Sequence, residues 1–350
     1  MKCRLQKLLL CSFLLGCNSQ QLRDPPTLWT ADDAQGERRW EAVRWDTLWM
    51  RGGSDDTLLL YPSLLRANAT GLFLYDRGTS RLLSFDDRGA LRWAYGRAGA
   101  GPGEFAGVRD VRVGDSGRVL VYDADNQRIT VLEEPGSLVS FVSIPHVPRG
   151  EHIVQMGGDS VAVFTFAGSK SIVILDTAGV VHRVSSLPWD AYQGLSPLVR
   201  QGLPVSSGLE WGYLFSVGNG WFRLTAGRES SAPYIEHTDF PTTLVSRDGR
   251  RTTVRLAERP PCSACSATLQ NDTLFVHFGG RTEESNRIID MYRWRTGEYL
   301  ASYRLPMAAN GVAIHEARHY VDFIDPFPHV LALVRQPFAR TPPRSEPHGG

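Results

Sequence analysis

The sequence predicts an all-β fold, a six-bladed β-propeller of four-stranded antiparallel blades, on three observations. A hairpin unit occurs twice in close succession, with Asp123 47 positions after Asp76, a period that belongs to stacked or radial repeats. Six units of about 40–60 residues follow one another, each with short strand patterns and no amphipathic helix between them. One strand pattern stands ahead of the first unit, and the last unit is one strand short. Pairing the two ends would close a ring and leave no open edge.

The first unit reads ANATGLFLYD at 67–76 and RLLSFDDRG at 81–89; the second reads GDSGRVLVYD at 114–123 and RITVLEEPG at 128–136. In both, a polar turn leads into an alternating apolar strand that ends Tyr-Asp, and an Arg-led strand and an acidic-Gly turn follow. The third unit is HIVQMGGDSVAVF at 152–164 with SIVILDTAG and VVHRVSSLP. The fourth shows two strands around Gly218-Asn219-Gly220, and the LVSRDGRRTTVRL hairpin beyond it has no clear place. The fifth covers 266–306 and the sixth 311–335. The surplus strand is RWEAVRWDTLWM at 39–50, where Val43, Trp45 and Leu48 alternate with polar residues. Seven blades are the alternative, because 188–265 is long enough to hold another sheet.

GRAGAGPGEF at 96–105 and RDVRVGDSGRVLVYDADNQRITVLEEPG at 109–136 resemble the NHL-repeat group. More closely, the chain resembles six-bladed β-propeller lipoproteins of environmental and gut bacteria. The resemblance implies a fold and a periplasmic address, with no shared reaction. The Gly-Pro-Gly-Glu-Phe bridge at 101–105 reads as an inter-blade connection in which Phe105 can pack.

Lys2, Arg4 and Lys7 precede an apolar run, Leu8 to Leu15, too short to span a bilayer. The run ends Leu14-Leu15-Gly16-Cys17, which resembles the lipobox of bacterial lipoproteins. That resemblance implies cleavage after residue 16 and a diacylglyceryl, N-acylated Cys17 as the membrane anchor. Asn18 in place of the inner-membrane retention Asp favours the outer membrane, with the domain facing the periplasm. An ordinary secretory signal with a chance cysteine is the alternative. The domains expected are a signal peptide at 1–16, a flexible tether at 17–38, the propeller at 39–338 and a disordered tail at 339–350.

The 350 residues carry 38 basic against 37 acidic side chains. A net charge of +1 provides no long-range field for nucleic acid. A monomer is expected.

Candidate chemistry is sparse. His315-Glu316-Ala317-Arg318-His319 is a formal HExxH, which binds zinc only with both histidines on one helix face and the Glu as base. Laying Val312-Ala313-Ile314 on Val111-Arg112-Val113 sets Tyr320-Val321-Asp322-Phe323 on Val119-Leu120-Val121-Tyr122. His315 to His319 then falls on a hairpin turn, so no metal is expected there. Cys262-Ser263-Ala264-Cys265 follows Pro260-Pro261 and lacks the context of a redox helix, a haem site or a zinc site; a local disulfide is expected in an oxidising compartment, with free thiols as the alternative. Asp76, Asp123, Asp125, Asn126 and Arg128 read as turn-satisfying residues. Trp189, Tyr192 and Trp211 flank the irregular 188–213 segment and are candidates for a pocket. No catalytic residue is assigned and no cofactor is expected. The function expected is a ligand- or protein-binding scaffold; the alternative is a lactonase-like propeller hydrolase or lyase with a divalent cation in the central channel.

Overall fold

In the computed structural model, the residues described are 21–23 and 36–337, without 115, 146, 148–149, 157–159, 166–171, 186–197, 208–209, 226–227, 249–250, 259, 281 and 324–325. Cys17, Trp189 and Tyr192 lie outside the described residues, as do the leader and the tail.

Two strands precede the repeats, β1 (Gln21–Arg23) and β2 (Val43–Gly52). Blade 1 is β3 (Pro62–Asn68), β4 (Gly71–Asp76), β5 (Arg81–Phe85) and β6 (Leu91–Tyr95). Blade 2 is β7 (Val108–Val113), β8 (Val119–Asp123), β9 (Arg128–Glu133) and β10 (Ser137–Ser143). Blade 3 is β11 (Gly150–Gln155), β12 (Ser160–Thr165), β13 (Ile172–Asp176) and β14 (Val181–Ser185). Blade 4 is β15 (Gly202–Ser207), β16 (Glu210–Phe215), β17 (Gly220–Thr225) and β18 (Arg228–Pro233). The hairpin β19 (Thr243–Asp248) and β20 (Arg251–Leu256) pairs with β1. Blade 5 is β21 (Ser266–Gln270), β22 (Thr273–Phe278), β23 (Ile288–Arg293) and β24 (Tyr299–Arg304). Blade 6 is β25 (Gly311–His315), β26 (Arg318–Phe323), β27 (His329–Pro337) and, from the far end of the chain, β2.

The fold is therefore a six-bladed β-propeller, and the alternative of seven blades is set aside. What 188–265 hides is blade 4 and a hairpin outside the ring, onto which residues 21–23, expected in a flexible tether, add a strand. The surplus strand does close the last blade: Val43 opposes Pro337 and Gly52 opposes His329.

Burial follows strand position within a blade. Second strands such as β4 (GLFLYD) are buried at every residue because neighbouring blades cover both faces, whereas the outermost β10 (SLVSFVS) is mostly exposed. One apolar cluster fills each of the six blade interfaces. Phe73, Trp93, Phe105 and Val121 join blades 1 and 2, and Leu74, Phe85, Tyr320 and Val330 join blade 1 to blade 6. Fully burying one such side chain contributes about 1.5–3 kcal/mol, so the ring is held by these six interfaces.

Between the blades the connections behave as turns and caps. Phe105 is buried, and a Cβ on Gly96, whose φ is +99°, would stand 2.3 Å from its ring. Asp76 accepts from the Leu60 and Thr79 amides at 2.7 and 2.9 Å, and Asp123 from those of Ala106 and Gly107 at 3.0 and 2.9 Å. These acids satisfy loop backbone.

Among the described residues, no helix is long and apolar enough to cross a membrane.

Candidate functional site: the ring channel

The innermost strands β3, β7, β11, β15, β21 and β25 contact one another in sequence, and β25 returns to β3. They wall two cavities of about 340 and 720 Å³ that share Leu65, Arg66, Arg112 and Ala267. The wall is asymmetric. Blades 4 and 5 supply Leu203, Pro204, Ser266 and Ala267 to the smaller cavity, whereas blades 1 to 3 supply Arg66, Arg112 and His152.

The charged half is organised by Asp110, which is completely buried. Arg66 donates from Nη2 to Oδ1 at 2.7 Å, and Arg112 donates from Nη2 and Nε to Oδ2 at 2.7 and 3.0 Å. His152 Nδ1 lies 3.3 Å from Oδ2, and the Val111 and Ile153 amides also donate to the carboxylate. Burial alone would raise the Asp110 pKa; the charges of Arg112 and Arg66, with His152, overcome it and hold the carboxyl far below its usual range. Burial pulls the Arg66 pKa down to about 10, with the Arg112 charge acting in the same direction and Asp110 opposing both.

Local backbone geometry aims these groups. The three inner strands that bear them each carry a register shift, at Ser63/Arg66, Val108/Asp110 and Gly150/His152. The inner pairings of blades 4, 5 and 6 have none. Leu64 sits in the left-handed region, φ 52°, at a cost of about 1–2 kcal/mol for an L-residue. Bulges that re-aim side chains are concentrated beside functional sites.

His315, Glu316 and His319 do not form a metal site. His315 ends β25 opposite Arg318, and Glu316 and Ala317 make the turn. His319 opposes Ile314, so the two histidines project from opposite faces of the sheet. The turn is also shorter than the alignment with blade 2 implies. Gly114 and Arg118 close that hairpin around three residues, and His315 and Arg318 close theirs around two. Tyr320 to Phe323 therefore stand one place further along than their sequence match. Buried His319 donates from Nδ1 to the Ala317 carbonyl at 3.1 Å and accepts from the Tyr303 hydroxyl at 2.6 Å, while burial lowers its pKa to about 3. It is a neutral core residue.

Trp211, expected at a pocket, is a core residue instead. It is 6% exposed, opposes Ser206, and packs edge-on against Phe164 of blade 3 at 5.4 Å. Cys262 and Cys265 are joined as a disulfide, with Cα atoms 5.3 Å apart, and Cys265 borders the smaller cavity.

Asp322 on β26 also borders that cavity and escapes sequence reasoning altogether. It is 4% exposed, and among the described residues its Oδ1 has no hydrogen-bond partner. Burial pushes its pKa up to about 7, against the lowering effect of the Gly311 amide.

A family described as 6-bladed beta-propeller matches residues 53–148, the stretch that contains blades 1 and 2. Among curated proteins none matches this sequence. A protein of Bacteroides fragilis described as exported is similar over 85% of this chain and 95% of its own, at 11% identity and a TM-score of 0.54. The WD40 domain of Toxoplasma gondii coronin is similar over 87% of this chain and 90% of its own, at 9% identity and 0.50. Virginiamycin B lyase from Staphylococcus aureus is similar over 84% and 99%, at 11% identity and 0.48. At these identities the likeness is one of fold.

Proposed function

We propose that this propeller is a binding module of the cell envelope, anchored through Cys17, whose channel takes up a small anionic solute. The observation that carries the reading is the charge balance of the channel wall. Arg66 and Arg112 share the one carboxylate of Asp110, and the cavity of about 340 Å³ is also bordered by Arg77 and Asp322, so three guanidinium groups stand against two carboxyls and one positive charge is left over. That volume lies at the lower end of the range for small-ligand sites, roughly 300–1,000 Å³. Guanidinium groups present the planar donor fork that carboxylates and phosphates accept, and Arg66 Nε has no partner among the described residues.

The same wall disfavours the metal-dependent alternative. A divalent cation placed there would meet two guanidinium groups, the Asp110 carboxylate is already shared between them, and Asp322 alone offers one ligand where such a cation needs several.

Titration of the purified domain with citrate, succinate and phosphate tests the reading. At least one is expected to bind, and Arg112→Ala is expected to weaken it about tenfold or more, since a charge-assisted hydrogen bond contributes about 1.5–3 kcal/mol. Absence of binding at millimolar ligand, or equal binding by the variant, would refute it. The anchor is checked separately: labelled palmitate should enter the full chain in a bacterial host and fail to enter Cys17→Ser. A wild-type chain that stays unlabelled removes the anchor from the reading.

A further inference from the structure

Asp322 occupies a place where blades 2 and 3 put aromatic side chains and blade 5 puts His277, whose Nε2 bonds to the Asn286 carbonyl at 3.0 Å. Counted from the hairpin turns, it opposes Gly311 at the level where Tyr122 opposes Asp110 and Phe164 opposes His152. Tyr122 and Phe164 are buried components of the blade interfaces. Putting a buried carboxyl at such a level costs folding free energy, which the Gly311 and Asp322 amides offset only in part, since Oδ1 keeps no partner among the described residues. A buried polar group that the fold leaves unsatisfied calls for a ligand or another functional account.

Gly311 is what brings this carboxyl to the cavity. It is the inner-strand residue opposite Asp322, and a Cβ there would come 2.8 Å from Oδ1. Any side chain on Gly311 would crowd the carboxyl that now borders the channel behind the inner strand. Both β25 and β26 contact β3, the strand that bears Arg66. The same cavity is therefore bordered by an arginine pair that shares one carboxylate and by a carboxyl whose Oδ1 has no partner among the described residues.

Building on the anion-binding reading, we infer that the channel ligand is a zwitterion of the amino-acid class. Its carboxylate meets Arg66 and Arg112, and its ammonium meets Asp322. A hydroxyl would give Asp322 only a dipole. An ammonium supplies the missing charge, and the gain is largest for a carboxyl that burial holds near a pKa of 7.

Three probes decide the matter on the unmodified domain by calorimetry: a mixture of common L-amino acids, the same mixture N-acetylated, and the same mixture amidated at the carboxyl group. The free amino acids are expected to bind at least tenfold more tightly than either derivative. Asp322→Asn, in which the carboxyl is replaced by an isosteric amide, should bring the free acids to the level of the N-acetylated ones. Gly311→Ala should do the same by crowding Asp322. Equal binding of free and N-acetylated acids by the wild type overturns the inference while leaving the anion site standing. Silence from all three mixtures together with binding of citrate or phosphate has the same meaning. Silence from the mixtures and from every simple anion overturns both readings.

Discussion

Asp110→Ala is expected to lower folding stability by about 3–5 kcal/mol, the range for removing one member of a buried ion pair, read as a shift in the urea midpoint of tryptophan fluorescence. The substitution strips Arg66 and Arg112 of their shared counterion and leaves two guanidinium groups facing each other in the channel wall. It also deprives the Val111 and Ile153 amides of their acceptor. Asp110→Ala combined with Arg66→Met should recover part of the loss, because the second change removes one of the stranded charges. The pH dependence has a definite sign. The folded-state pKa of Asp110 is depressed, so its contribution is fully present above the unfolded carboxylate value near 4 and fades only as pH falls toward the folded value. The gap between wild type and variant should therefore be constant from about pH 5 to 8. A gap that closes within that window would show that Asp110 is not held as an anion.

Arg38→Ala is expected to cost about as much, roughly 3–5 kcal/mol, although Arg38 lies at the end of what reads as a tether. Its guanidinium grips the buried Asp290 of β23 through Nε and Nη2 at 3.0 and 3.1 Å and reaches Glu236 with Nη1. Asp290 takes a further hydrogen bond from Ser302, which is itself bonded to the Tyr299 hydroxyl. Burial pushes the Asp290 pKa up, and Arg38 only partly draws it back. Without Arg38 the carboxyl has lost its countercharge. Asp290→Asn in the Arg38→Ala background should restore most of the stability, and an Arg38→Ala variant as stable as the wild type would show that the Arg38–Asp290 pair does not hold the fold.

The ring was legible because it is written in repeated local signals. Turn, alternating strand, Tyr-Asp end and Arg-led strand recur, and each blade needs the same burial from its neighbours. Blade 4 was half hidden for a physical reason. Its inner strand is GLPVSS and its outer strand RESSAP, with few of the β-branched and aromatic residues that mark strands. Pro204 is tolerated because an innermost strand is a sheet edge that can spare a donor. The charged wall was not legible at all. Arg66, Asp110 and His152 are single polar residues in otherwise ordinary strands, and only ring geometry brings β3, β7 and β11 side by side. Asp322 was masked differently. A repeat alignment without a gap placed it on Val121, and the two-residue turn at Glu316-Ala317 shifts it to the level of Tyr122. His315 and His319 drew attention by motif, yet the informative acid of that hairpin lay three residues further on.

The clasp between β2 and β27 also sets an order on biogenesis. Residues 43–52 leave the ribosome long before their partners at 329–337, so no intermediate length of chain can complete blade 6. Until the last strand arrives, the nascent protein carries an unmatched apolar segment near its front end and an open flank on blade 1. Both are surfaces that holding chaperones recognise and that aggregation exploits. A stop codon shortly before residue 329 would therefore do more than remove a strand. It would leave a product with five and a half blades that can never shut, and quality control would meet it as unfinished.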